Sequence, residues 1–106
     1  MIENESIAEL AQRIVQEFHP RRIILFGSSA IGKETEGSDV DLFIIMPTEG
    51  SGLRKAAEIM NKISPRMPVD LIVRDPVDVR RRLEANDFFL QEVIEKGKIL
   101  YESTDD

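Results

Sequence analysis

Two short apolar runs, Ile23-Ile24-Leu25-Phe26 and Leu42-Phe43-Ile44-Ile45-Met46, constrain this chain more than anything else in it. Neither alternates polar with apolar residues, so each reads as a strand buried on both faces, central in a sheet with helices above and below. The segment between them has the opposite character. It breaks at Gly27, runs through Ser28 and a polar loop from Gly32 to Gly37, and returns through Ser38-Asp39-Val40-Asp41. Two carboxylates therefore stand at the mouth of a hydrophobic strand, a costly place for charge unless something pairs with it.

The remaining elements follow from periodicity. Ile7, Leu10, Ala11, Ile14, Val15 and Phe18 fall on one helical face, and Ser6 with Glu9 forms a capping box at its start. His19-Pro20 ends that helix, because the residue before proline is pushed out of the α region. His19 is the single histidine, has no neighbouring ligand type, and is assigned to the helix end rather than to a metal. A second helix is expected over about Leu53 to Ile63, with Leu53, Ala56, Ala57, Met60 and Ile63 as its core face. Pro68 to Val73 reads as a third strand interrupted by one acid, Asp70. Asp75-Pro76 pairs an N-cap with proline at the first helical position and launches a helix to about Ala85. Phe89, Leu90, Val93 and Ile94 then share a face up to Gly97, Lys98 to Glu102 adds a short edge strand, and 103–106 is a frayed tail. Core packing is expected for Phe89, while Phe88 is a candidate for an exposed interface. Interleaved strands and helices give an α/β (α+β) fold, a small mixed sheet with helices packed on it.

At 106 residues the chain is expected to form one domain, 1–106. No apolar run reaches the roughly 20 residues of a membrane span, and the acidic N-terminus lacks the features of a signal peptide. The expected location is cytoplasmic, in agreement with the absence of cysteine, which also removes disulfides and thiolate ligands. A net charge of −6 works against direct binding of a nucleic-acid backbone. The one local exception is Arg80-Arg81-Arg82, preceded by Arg66 and Arg74; on a helix three consecutive residues splay around the circumference, so this run reads as a solvated face.

The acids carry the chemistry. Asp39 and Asp41 are two apart at the start of a strand and so point to one side. If the strand of Asp70 lies beside theirs, three carboxylates converge, and their mutual repulsion either raises their pKa values or recruits cations. Hard oxygen ligands without histidine or cysteine favour Mg²⁺, which shares its coordination between carboxylates, water and substrate phosphates. Gly27-Ser28 supplies a complementary half, since glycine permits close backbone approach and the following turn offers N–H groups and a hydroxyl to an anion.

In this order and spacing the residues resemble the nucleotidyltransferase superfamily of DNA polymerase beta and kanamycin nucleotidyltransferase. The family pattern is G-S-x-A-R-G, a five-residue gap, then S-D-x-D-L; Gly27-Ser28-Ser29-Ala30, Gly32 and Ser38-Asp39-Val40-Asp41-Leu42 fit it. The small size, Asp70 in its apolar strand and the ending Glu95 to Tyr101 are similar to the minimal nucleotidyltransferases in particular. One departure is Ile31, where the family has arginine. The resemblance implies attack of an acceptor hydroxyl on the α-phosphate of a nucleoside triphosphate, with AMP transfer from ATP as the expected case. It implies Asp39, Asp41 and Asp70 as catalytic residues and as ligands of two Mg²⁺ ions, roughly 3.5–4 Å apart in such sites. It further implies Gly27, Ser28 and Ser38 as nucleotide-binding residues. Minimal nucleotidyltransferases are commonly antitoxins of HEPN-domain ribonuclease toxins, which implies a protein partner, a hetero-oligomer and a tyrosine hydroxyl as acceptor. Two alternatives stand beside this reading: a catalytically weak module that neutralises its partner by occlusion, and a subunit of a small-molecule nucleotidyltransferase.

Overall fold

Ser6 opens the first helix as expected: its hydroxyl accepts the Glu9 amide at 3.1 Å while the Glu9 carboxylate accepts the Ser6 amide at 2.9 Å. This pairing holds the Glu9 carboxyl below the usual carboxylate range, chiefly through the backbone hydrogen bond from Ser6. The structure, a computed structural model, describes residues 6–27 and 40–104. Within them the order is α1 (Ile7–Phe18), β1 (Arg22–Phe26), β2 (Val40–Ile45), α2 (Gly52–Ile63), β3 (Val69–Arg74), α3 (Pro76–Glu84), α4 (Phe88–Lys96) and β4 (Lys98–Glu102). His19 ends α1 in the left-handed region, at φ 52°, with its amide bonded to the Val15 carbonyl. The sequence-expected turn after Gly27 and the loop from Gly32 to Gly37 lie outside the described residues.

The strands form one sheet in the order β3-β2-β1-β4, with β2 and β3 parallel and the other pairs antiparallel. The two uninterrupted apolar runs are thus the two central strands, because only those positions are covered on both faces. Alternation sorts their side chains into two cores. Ile23, Leu25, Val40, Leu42 and Ile44 pack with α1 and α2 on one face. Ile24, Phe43 and Ile45 pack with Val79 of α3 and Leu90 and Val93 of α4 on the other. The result is a three-layer α/β/α arrangement, in which the described residues contribute a small mixed sheet of four strands and four helices packed on its two faces.

Helix α2 departs from its expected face. Its buried residues are Ala56, Ile59 and Ile63, whereas Leu53 is 82% exposed, Met60 is 37% exposed and Ala57 faces solvent. The cause is Gly52. A Cβ there would sit 2.1 Å from the Val73 carbonyl oxygen of β3, so the helix meets the strand backbone directly at this point. The buried stripe therefore runs 52-56-59-63, and Leu53, about 100° further round, points outward. An apolar count over the sequence misses this stripe because its first member has no side chain. The Arg13 guanidinium of α1 donates to the Ile63 carbonyl and so satisfies one of the free carbonyls at the end of α2. We expect Ile59→Ala to cost about 2–5 kcal/mol in urea unfolding, as for other buried aliphatics. Leu53→Ala should change stability by about 0.5 kcal/mol or less. Equal effects at the two positions would refute the stripe.

At the end of the sheet where β1 begins and β2 and β3 end, Asp75 joins two layers. Its carboxylate accepts the Val77 amide at 2.9 Å, capping α3, and the Thr48 amide at 3.1 Å, holding the connection from β2 to α2. These two backbone donors, Thr48 first, keep its carboxyl below the usual range. Strand β4 lies at the sheet edge beside β1, with a bulge opposite Ile23/Ile24, and Ser103 donates its amide to the Arg21 carbonyl.

Candidate active site

The carboxylates meet at the other end of the sheet, where β1 ends and β2 and β3 begin. Asp41 is register partner to Phe26 on one side and to Asp70 on the other. In a parallel pair, register partners share a face, and adjacent strands run about 4.8 Å apart. Asp41 precedes Phe43 by two and Asp70 precedes Ile72 by two, so both lie on the α3/α4 face. Of the three-acid convergence expected on condition that β3 neighbours β2, the Asp41–Asp70 part is therefore present. Asp70 is exposed and Asp41 is half-buried. Each acid is the second residue of its strand, and the strand tolerates it because this corner is the rim of the sheet, where water or a ligand still reaches the carboxylate.

Gly27 completes the corner. Its φ is 79°, and a Cβ built on it would lie 2.4 Å from the Asp41 Oδ2. Glycine is thus required twice here, for the left-handed backbone and for the close approach of the Asp41 carboxylate. Of the residues expected at the site, the structure brings Gly27, Asp41 and Asp70 together; Ser28, Ser38 and Asp39 lie outside the described residues, as does Ile31. Among the described residues no group of three or more histidine, aspartate or glutamate side chains is placed to hold a metal ion. Two carboxylates on adjacent strands are nonetheless an all-oxygen donor set suited to Mg²⁺, which needs only one or two protein carboxylates and takes its other ligands from water and phosphate.

Beside Gly27 opens a cleft of ≈ 370 Å³ lined by Phe26, Phe89, Glu92, Val93 and Lys96. Phe89 stacks edge-on against Phe26 at 5.7 Å between ring centroids, with Phe43 6.3 Å away, and is 45% exposed. The expectation that Phe89 packs in the core holds for one side of its ring only, since the other faces this cleft. Phe88 is 86% exposed. Glu92 and Lys96 form an i,i+4 pair, with 3.5 Å between charges, at the rim. Sequence reasoning did not single out Phe26, Glu92 or Lys96; strand alternation from Ile24 points to Phe26, but only the packing of α4 over β1 reveals the other two.

The sequence model of the polymerase beta nucleotidyltransferase family matches residues 7–106. The chain belongs to that family. Solved structures agree at the level of the fold. A candidate nucleotidyltransferase from Sulfolobus solfataricus superposes with a TM-score of 0.63 at 19% identity, over 92% of this chain and 78% of that one. A toxin–antitoxin solved with AMP-PNP gives 0.61 at 21% identity, over 95% and 77%. A mutant of the toxin–antitoxin MntA-HpeT gives 0.58 at 17%, over 95% and 77%. No curated protein matches the chain. For a polymerase beta-like nucleotidyltransferase, the corner formed by Gly27, Asp41 and Asp70 is the candidate active site. Among the described residues no helix is long and apolar enough to cross a membrane.

Proposed function

We propose that this nucleotidyltransferase transfers AMP from ATP to a hydroxyl of a protein partner and thereby acts as the antitoxin of an HEPN ribonuclease toxin. The observation that carries the chemistry is the side-by-side placement of Asp41 and Asp70 against Gly27 at one sheet corner. With Asp39 they would hold two Mg²⁺ ions, which when bound offset the charge of the triphosphate and favour ionisation of the attacking hydroxyl. Asp39 and Asp41 would hold the cations that take up the α-phosphate; Asp70, more exposed than Asp41, accepts the hydroxyl proton as the bond from that oxygen to the α-phosphorus forms and the bond to pyrophosphate breaks. Gly27 and Ser28 approach the β- and γ-phosphates through backbone amides.

The toxin–antitoxin structures sharing the fold support a partner protein, and the cleft open beside Gly27 leaves room for an acceptor that such a partner brings. The test is incubation with ATP, Mg²⁺ and the co-encoded partner. AMP-sized mass additions on the partner are expected, abolished by combining Asp39→Ala with Asp41→Ala. No mass change under saturating ATP removes the transferase reading. The exposed Phe88 and the Ile31 substitution favour a second reading, neutralisation by occlusion alone. Under it, the double aspartate variant protects cells from the toxin fully.

A further inference from the structure

A second polar cleft lies at the far end of the sheet. Arg22 pairs with Ile45, whereas Phe26 pairs with Asp41, so four residues of β1, roughly 13 Å, separate this cleft from the carboxylate corner. Its volume is ≈ 290 Å³, just under the roughly 300–1,000 Å³ typical of sites for drug-sized molecules, which suits a smaller ligand. Three guanidinium groups line it, Arg21 and Arg22 at the start of β1 and Arg80 on α3, above an apolar floor of Ile45, Val79 and Leu83. In a chain of net charge −6 this is a local reversal of sign.

The three arginines are not equivalent. Arg22 is engaged by Glu102 at 3.0 Å. Arg82, their neighbour in the basic run, is turned to Asp78 at 3.0 Å and Asp87 at 3.6 Å and stands outside the cleft. The side chain of Arg80 has no ion pair or hydrogen bond with any other described residue. Arg21 has only a longer-range attraction to Asp75, whose carboxylate already accepts two amides. Two exposed guanidiniums thus face one cavity without a carboxylate committed to either among the described residues, since Glu102, which also lines it, is held by Arg22. Guanidinium groups bind phosphate oxygens through paired N–H donors, and two of them balance a dianion.

We propose that this cleft binds a small phosphate monoester, the dianion held between Arg21 and Arg80 and its organic body laid on Ile45, Val79 and Leu83. The site is independent of the candidate active site and does not require the transferase reading. It is tested by amide NMR titration of the Asp41→Asn variant without divalent cations, which removes metal-dependent nucleotide binding from the readout. The probes are AMP, inorganic phosphate and adenosine. Saturable shifts at Val79, Leu83 and Ser103 are expected with AMP, weaker binding with phosphate, and none with adenosine. Combining Arg21→Gln with Arg80→Gln should weaken AMP at least tenfold, with unchanged Tm because both side chains are exposed. Arg81→Gln, on the same helix, should leave it unchanged. Shifts confined to the Gly27 end, equal binding of adenosine, or equal loss with Arg81→Gln would each overturn the proposal.

Discussion

Replacing Asp70 with asparagine is expected to lower the proposed AMP transfer to a partner by about 10²–10⁴-fold, the range for loss of a positioned general base, which is the role proposed for Asp70. Its partner on the next strand should behave differently. Asp41→Asn removes a carboxylate that lies against Gly27 and between Phe26 and Asp70 in register, so it should reduce Mg²⁺-dependent ATP binding as well as transfer. Asp70→Asn keeps most nucleotide binding and loses turnover. The Asp70 change should not unfold the protein, because like charges directly opposite one another on adjacent strands are destabilising and this substitution relieves that repulsion. Without metal, the Tm of Asp70→Asn should equal or exceed that of the parent. Single-turnover transfer, ATP titration and thermal unfolding measured on both variants check this. An Asp70→Asn enzyme with undiminished turnover would exclude Asp70 from the chemistry, and a large drop in its metal-free Tm would make it a structural residue.

What the sequence disclosed and what it hid divide along one physical line. Local signals were legible: the Ser6–Glu9 box, the proline stop after His19 and the Asp75-Pro76 start each act within a few residues and appear where expected. The central strands were legible because uninterrupted apolar runs admit few other placements. The convergence of Asp41 and Asp70 was legible only conditionally, since their sequence separation leaves open whether β3 adjoins β2; the parallel pairing settles it. Features set by contact between distant elements were not legible. Gly52 rotates α2 by pressing on Val73, and nothing in the spacing of Leu53 and Met60 foretells that. The arginine run splays as expected, but its members diverge: Arg82 is tied to Asp78 and Asp87, while Arg80 meets Arg21 from another element across a cleft. Electrostatic sites assembled from remote residues have no periodicity to betray them. Glycine acts in the same concealed way at the candidate active site.

Gly27→Ala is expected to damage the candidate active site although it adds no charge and removes none. Two effects combine. At φ 79° an alanine costs about 1–2 kcal/mol for the left-handed backbone. Its methyl group would also lie 2.4 Å from the Asp41 Oδ2, well inside contact distance. Asp41 has a short side chain able to turn away, so the strain is relieved by displacing the carboxylate rather than by breaking the β1–β2 pairing. The protein should fold, with a lowered Tm, and lose about 10²-fold in transfer, the scale of a displacement of about 1 Å in a catalytic group. The split between parameters identifies the role. If glycine serves to seat Asp41, Gly27→Ala weakens Mg²⁺ binding together with turnover. If it serves only to let the backbone approach the phosphates, the variant raises the KM for ATP and leaves Mg²⁺ affinity intact. The collision with Asp41 favours the first outcome, and a metal titration of the folded variant that matches the parent would establish the second.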